Sequence, residues 1–250
     1  LHGADHMIPK QQVQTLLHAI FPPRCVSCGE LVASDFELCG ACWRETPFIG
    51  GAICDRCGVP LPGQVSEHAE CCDDCMENPP PWQRGRAALL YQGAARSLVM
   101  GLKHGDRHDI ARPAARWMAT LAEPLTNETT LIAPIPLHWT RFLKRGFNQS
   151  ALLAERMARD LGTDYIPDLL IREKATASLD GLSREERFEM LSGSLSINPK
   201  FRDPLQGASV LLVDDVMTSG ATLSVATKAC LEANADQVNV IVLARVAKHP

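Results

Sequence analysis

Val210-Leu211-Leu212-Val213-Asp214-Asp215-Val216-Met217-Thr218-Ser219-Gly220-Ala221-Thr222 is the run from which the rest of the chain is read. It opens apolar and β-branched, the composition of a strand buried on both faces, expected over 208–214. Two carboxylates follow at the strand's end. Thr218 to Thr222 then form a loop of small and hydroxyl-bearing residues around Gly220. Leu223, Ala226 and Cys230 recur at helical spacing, so the loop opens a helix, expected over 219–234. A strand, a polar loop and a helix N-terminus make an anion site. Backbone N–H groups point outward there, the helix dipole is positive, and a glycine lets the chain approach a phosphate closely. Asp214 and Asp215 could serve merely to end a strand and cap a helix. Their coincidence with Thr-Ser-Gly-Ala-Thr favours a site in which they accept hydrogen bonds from sugar hydroxyls or hold Mg²⁺.

Bulk composition narrows the choices. At 250 residues the chain is long enough for an α/β domain and a small module. No apolar run is long enough to span a membrane and no secretory signal is seen, so a cytoplasmic setting is expected. The formal net charge of −4 does not advertise nucleic acid. Cysteine is the outlier: of ten, eight fall into four C-x-x-C pairs within 25–75. In a cytoplasmic protein such pairs read as metal ligands rather than disulfides.

Leu1 to His6 resemble a tag remnant ahead of Met7. Val13, Leu16, Leu17, Ile20 and Phe21 predict a helix over 10–21, stopped by Pro22-Pro23. Residues 1–23 are thus expected to be a tag remnant and an N-terminal helix. A zinc-binding module is expected over 24–78, with Cys25, Cys28, Cys39, Cys42, Cys54, Cys57, Cys72 and Cys75 as ligands. Eight thiolates suit two tetrahedral Cys₄ sites, paired in sequence or cross-braced. Cys71 is a spare thiol that a register slip would exchange with Cys72, and His68 is a weaker alternative ligand. Gly29 and Gly58 follow two of the pairs, where the turn needs a positive φ. So short a segment cannot build its own core, and metal binding would supply the missing folding free energy. Zinc removal is accordingly expected to unfold 24–78 and spare the remainder. All-cysteine sites are closed, which makes them structural rather than catalytic. Residues 25–80 hold two basic and ten acidic side chains, which argues against phosphate binding by the module.

Pro79-Pro80-Pro81 reads as a stiff linker over 79–85. The main domain, 86–250, then alternates strands and helices. Strands are expected at 86–92, 130–136, 193–197, 208–214 and 237–246, and helices at 95–104, 108–122, 149–161 and 219–234. That alternation implies a mostly parallel sheet, with ligand at the carboxyl ends of its strands. Lys103 is either a helix C-terminal cation or a phosphate ligand. Arg141, Lys144 and Arg145, with Gly146, make a second anion-binding loop before the 149–161 helix. Cys230 reads as core packing.

The 210–222 run resembles the phosphoribosyl pyrophosphate loop of type I phosphoribosyltransferases. Pro134-Ile135-Pro136-Leu137-His138, Arg145-Gly146-Phe147-Asn148-Gln149, and Gly181-Leu182-Ser183-Arg184 with Arg187 precede it behind a Cys-rich N-terminus. In that order they are similar to the ComF family, proteins linked to DNA uptake or utilisation. The resemblance covers nearly the whole chain from Pro22. It implies an α/β fold of type I phosphoribosyltransferase-like form, helices on both faces of a mostly parallel sheet, with a small zinc module. It implies that Asp214 and Asp215 serve the ribose hydroxyls, that Thr218, Ser219, Gly220, Ala221 and Thr222 wrap the 5′-phosphate, and that Mg²⁺ sits on the pyrophosphate. It makes 137–149 a pyrophosphate-facing loop and 174–192 a mobile hood. Leu179 and Met190 depart from the family's usual glutamine and asparagine, which puts hood closure in doubt.

Two functions compete. One is transfer from phosphoribosyl pyrophosphate, with Lys103, Arg141, Lys144 and Arg145 toward the leaving pyrophosphate and the acceptor open. The other is a non-catalytic adaptor that uses the same pocket. In it, Trp139, Phe142 and Phe147 among basic residues engage single-stranded DNA and helicase-type partners of the competence machinery.

Overall fold

The computed structural model describes residues 18, 20–66, 68–104, 107–173, 186, 190–191 and 193–247, without the side chains of Arg141 and Lys144. The helix expected over 10–21 lies mostly outside these residues, as does nearly all of the 174–192 stretch with Leu179, Arg184 and Arg187. Met190 is described, and is partly exposed at 39%.

The chain divides into two compact units, Leu1–Glu45 and Thr46–Pro250. In the first, Cys25, Cys28, Cys39 and Cys42 bring their thiols within 4.8 Å of one another. Helix α1 (Gly40–Glu45) turns Cys42 inward. The division differs from the expected module over 24–78 and linker over 79–85, and the reason is packing. Cys54, Cys57 and Cys75, the last on α2 (Asp73–Glu77), are buried in one apolar cluster with Trp82, Ala87, Val240, Val242 and Met217. The second half of the Cys-rich segment is thus core of the larger unit. The three prolines lead into Trp82, which is itself buried.

Strand β1 (Gly85–Leu90) leads to α3 (Gly93–His104), a 3₁₀ turn at His108–Ile110 and α4 (Ala111–Ala122). Then come β2 (Thr130–Pro134), α5 (Trp139–Arg145), α6 (Gln149–Leu161) and β3 (Asp164–Tyr165). A small antiparallel pair, β4 (Leu170–Arg172) and β5 (Leu195–Ile197), precedes α7 (Arg202–Leu205). The chain ends with β6 (Ser209–Met217), α8 (Ala221–Glu232) and β7 (Gln237–Arg245). Five strands form one sheet in the order β1-β7-β6-β2-β3, every pairing parallel.

Alternation of the strands decides the layers. Val210 and Leu212 of β6 and Val240 and Val242 of β7 share one parity, and they pack with Leu223, Ala226 and Cys230 of α8. The second cysteine cluster joins the same face, beside α8. Helices α4 and α6 pack on each other and on the sheet outside that cluster. Burial pushes the Cys230 thiol up to about 12, as suits an inert packing residue.

Several elements differ from the sequence reading: β3, β4 and α7 were not expected, and β5 pairs with β4 instead of joining the five-stranded sheet. Residues 139–145 are helix α5, not loop. His138 caps its start, Nδ1 accepting from the Thr140 N–H at 3.4 Å, and Gly146 ends it at φ 79°; nothing between them breaks a helix. Strand β6 also runs three residues past Asp214. Val216 and Met217 go on pairing with Ala244 and Arg245 of the equally long β7. The two acids therefore lie within the strand.

Candidate functional site

Strands β2 and β6 are neighbours, but their following helices lead in opposite directions, to β3 and to β7. A crevice opens at the carboxyl ends of two strands that part in this way, the usual ligand position in open α/β sheets. The two stretches that the sequence marks as anion-binding, 137–149 and 218–222, both leave from this point.

Gly220 sits at φ 75° as the residue before α8. A glycine cap has no side chain to satisfy the first helical N–H groups, which leaves them for an anion. Gly220 and Ala221 are buried, Ser219 and Thr222 half-buried and Thr218 exposed. The buried Arg245 guanidinium fixes the loop from below, its Nη1 donating to the carbonyls of Met217 (3.2 Å), Thr218 (2.6 Å) and Val246 (2.6 Å).

The acids are held by the start of α6. Ser150 Oγ donates to Asp214 Oδ1 at 2.9 Å, and the Asp215 N–H donates to the same oxygen at 2.9 Å. Gln149 Nε2 donates to Asp215 Oδ2, and Lys103 Nζ lies 3.0 Å from Asp215 Oδ1. Lys103 is therefore both a cation in the last turn of α3 and a member of the crevice. Sequence reading missed the part of Gln149 and Ser150, although Gln149 closes the Arg145–Gln149 motif. Their position at the first turn of a helix, capped by Asn148, was the available signal. Arg141 and Lys144 lie on α5, and Arg145 is half-buried at its end.

Burial and the neighbouring Asp215 charge push Asp214 up to about 7, against the lesser pull of the Asp215 N–H, Lys103 and Ser150. Its folded value thus exceeds the unfolded one. The stability gained by keeping it protonated is complete below the unfolded value of about 4, and is lost as pH rises through about 7. Asp214→Asn should abolish that part of the decline: thermal melts between pH 5 and 8 should fall less in the variant than in the parent. Parallel curves would remove Asp214 as the titrating group.

The cysteines form two groups of four: Cys25, Cys28, Cys39, Cys42 and Cys54, Cys57, Cys72, Cys75, the thiols of each within 4.8 Å of one another. The pairing is sequential, and Cys72 rather than Cys71 completes the second. Gly29 and Gly58 stand at φ 79° and 71°, as the turns require. Four thiols at this spacing fit a closed Zn²⁺ site, which would supply folding free energy and no open position. His68 belongs to neither group. The donors available to a Mg²⁺ ion would be two adjacent carboxylates, Asp214 and Asp215. That suits an ion carried on ligand phosphates rather than held by a protein cage. No helix among the described residues is long and apolar enough to cross a membrane.

Comparison with known proteins agrees with this architecture. Residues 16–76 match the double zinc ribbon domain family, and residues 148–249 match the phosphoribosyl transferase domain family. The DNA utilization protein YhgH of Escherichia coli strain K12 is 30% identical over 230 residues, 90% of this chain and 97% of that one. Competence protein F of Haemophilus influenzae is 28% identical over 89% of this chain and 96% of its own. Competence protein ComFC of Bacillus subtilis is 28% identical over 81% of each chain. With the parallel sheet, the paired acids of β6 and the two Cys₄ groups all in place, the chain belongs to the family of these DNA utilization and competence proteins, a double zinc ribbon joined to a phosphoribosyltransferase-type domain.

Proposed function

We propose that the crevice binds phosphoribosyl pyrophosphate with Mg²⁺ in a protein that serves DNA uptake or utilisation. The observation that carries the reading is the glycine-capped start of α8 beside two carboxylates at a topological switch point. The 218–222 loop takes the 5′-phosphate through backbone N–H groups. Asp214 and Asp215 face the ribose hydroxyls. Lys103 and Arg145, with Arg141 and Lys144 on α5, supply positive charge for the pyrophosphate. Mg²⁺ would neutralise the phosphate charge when bound.

If transfer occurs, a nucleophile attacks C1 of the ribose. The C1–O bond breaks, and its electron pair leaves with pyrophosphate. The chain's part is orientation and electrostatic support of an oxocarbenium-like state. Lys103 holds Asp215 in the free protein, so binding exchanges that partner for ligand oxygens.

Separate titrations of ribose 5-phosphate and of pyrophosphate with Mg²⁺ test the division of labour. Lys103→Ala should weaken pyrophosphate roughly tenfold and leave ribose 5-phosphate within about twofold. Equal losses for both would reject it.

One observation favours a second reading, an adaptor for single-stranded DNA. Trp139 and Phe142 are 64% and 48% exposed on α5 rather than in the core, interleaved with cations. Stacking on such residues is how single strands are held. Affinity for oligonucleotides that drops steeply with salt, and persists when Gly220 is replaced by valine, would support it.

A further inference from the structure

We propose that the second cysteine site positions the phosphate loop through Trp82, so that occupancy of this metal site sets ligand affinity about 220. The proposal deepens the reading above and rests on it only for the ligand's identity. Its structural half stands on contacts of this chain.

The link begins inside the metal-binding turn. Arg56 lies between Cys54 and Cys57. It exchanges two hydrogen bonds with Trp82: Trp82 Nε1 donates to the Arg56 carbonyl at 2.6 Å, and Arg56 Nη1 donates to the Trp82 carbonyl at 2.9 Å. The indole is 3% exposed, and its far edge forms the floor beneath Gly220. A Cβ built on Gly220 would lie 2.9 Å from Trp82 Cη2, closer than such atoms approach. The loop's glycine is therefore required both by its φ of 75° and by the ring below it.

The turn is anchored as firmly on its other side. Asp55 pairs with Arg86 at 2.6 Å and with Arg84 at 3.2 Å. The Gly85 N–H donates to the Asp55 carbonyl at 2.9 Å. A Cβ on Gly58 would meet the Ala87 nitrogen at 2.7 Å. Loop, indole and metal-binding turn thus share one rigid packing unit. A turn that loses its ion loses the constraint that holds Arg56 and hence Trp82.

The test is hydrogen exchange of the full-length, zinc-loaded protein, read over 217–222 and against the β6 and β7 interiors. Trp82→Ala and Cys72→Ser should each raise exchange in the loop about tenfold or more, while the strand interiors remain the slowest-exchanging amides and lose protection only as far as the whole unit loses stability. Trp82→Phe keeps a ring under Gly220 and should fall between. Cys28→Ser, which removes a ligand from the site in Leu1–Glu45, is the comparison and should leave 217–222 unchanged. Metal analysis should find two zinc ions per chain in the Trp82 variants, so that any change is not metal loss. Unchanged loop exchange in both Trp82→Ala and Cys72→Ser would overturn the proposal. So would an equal effect of Cys28→Ser. Should Trp82→Ala fail to fold, Trp82→Phe gives the same contrast. The readout needs no ligand, so failure of wild-type protein to bind phosphoribosyl pyrophosphate would refute the functional reading and leave this one standing on its own measurement.

Discussion

Cys54→Ser should lower the melting temperature of the whole Thr46–Pro250 unit by roughly 10 °C, corresponding to a loss of about 3–5 kcal/mol. Cys54 is fully buried in the cluster that also holds Val240, Val242 and Met217. Loss of one thiolate opens a closed site whose metal binding contributes to folding. It also puts a hydroxyl where no apolar neighbour can bond it. The expectation from sequence was different: zinc removal would melt 24–78 and spare the rest. Contacts across the second half of that segment make it part of the larger unit, so its loss is shared. Cys28→Ser should instead act within Leu1–Glu45. Differential scanning calorimetry of the two variants separates the cases. A Cys54→Ser protein whose major transition stays in place would restore the independent-module view.

Asp215→Asn is expected to weaken phosphoribosyl pyrophosphate binding about a hundredfold, near 2.7 kcal/mol. Part of any stability change has another origin. Lys103 is 19% exposed at its side chain and loses its countercharge, and removing one partner of a buried pair strands the other. The double variant Lys103→Met, Asp215→Asn should recover most of the stability and none of the affinity. Such a cycle distinguishes a ligand contact from a structural ion pair. Equal affinity in Asp215→Asn and wild type would take Asp215 out of the site.

The central strand and its loop were legible because two signals coincide there, an apolar run and a glycine among hydroxyls. The strand ended three residues later than expected. Period and polarity place a boundary at the first carboxylate, whereas β7 offers pairing partners as far as Met217. The cysteine groups were legible from spacing, and their sequential pairing was not. Two pairs at similar separations allow cross-bracing until the backbone brings them together. Helix α5 was read as loop because three cations and a glycine resemble an anion turn. Its caps, His138 and Gly146, decide the conformation locally. Trp82 stood beyond any sequence argument. Its place under Gly220 depends on contacts between residues 138 positions apart, and the prolines before it suggested a linker. Gln149 was quoted as a motif residue and Ser150 was not singled out, and only the fold brings them onto Asp215 and Asp214.

Calorimetric titration of the zinc-loaded protein with phosphoribosyl pyrophosphate and Mg²⁺ tests the central claim most directly. The account predicts saturable binding near micromolar affinity, about −8 kcal/mol, lost in Gly220→Val at unchanged zinc content. Absence of heat at millimolar ligand, or equal binding by Gly220→Val, would contradict it.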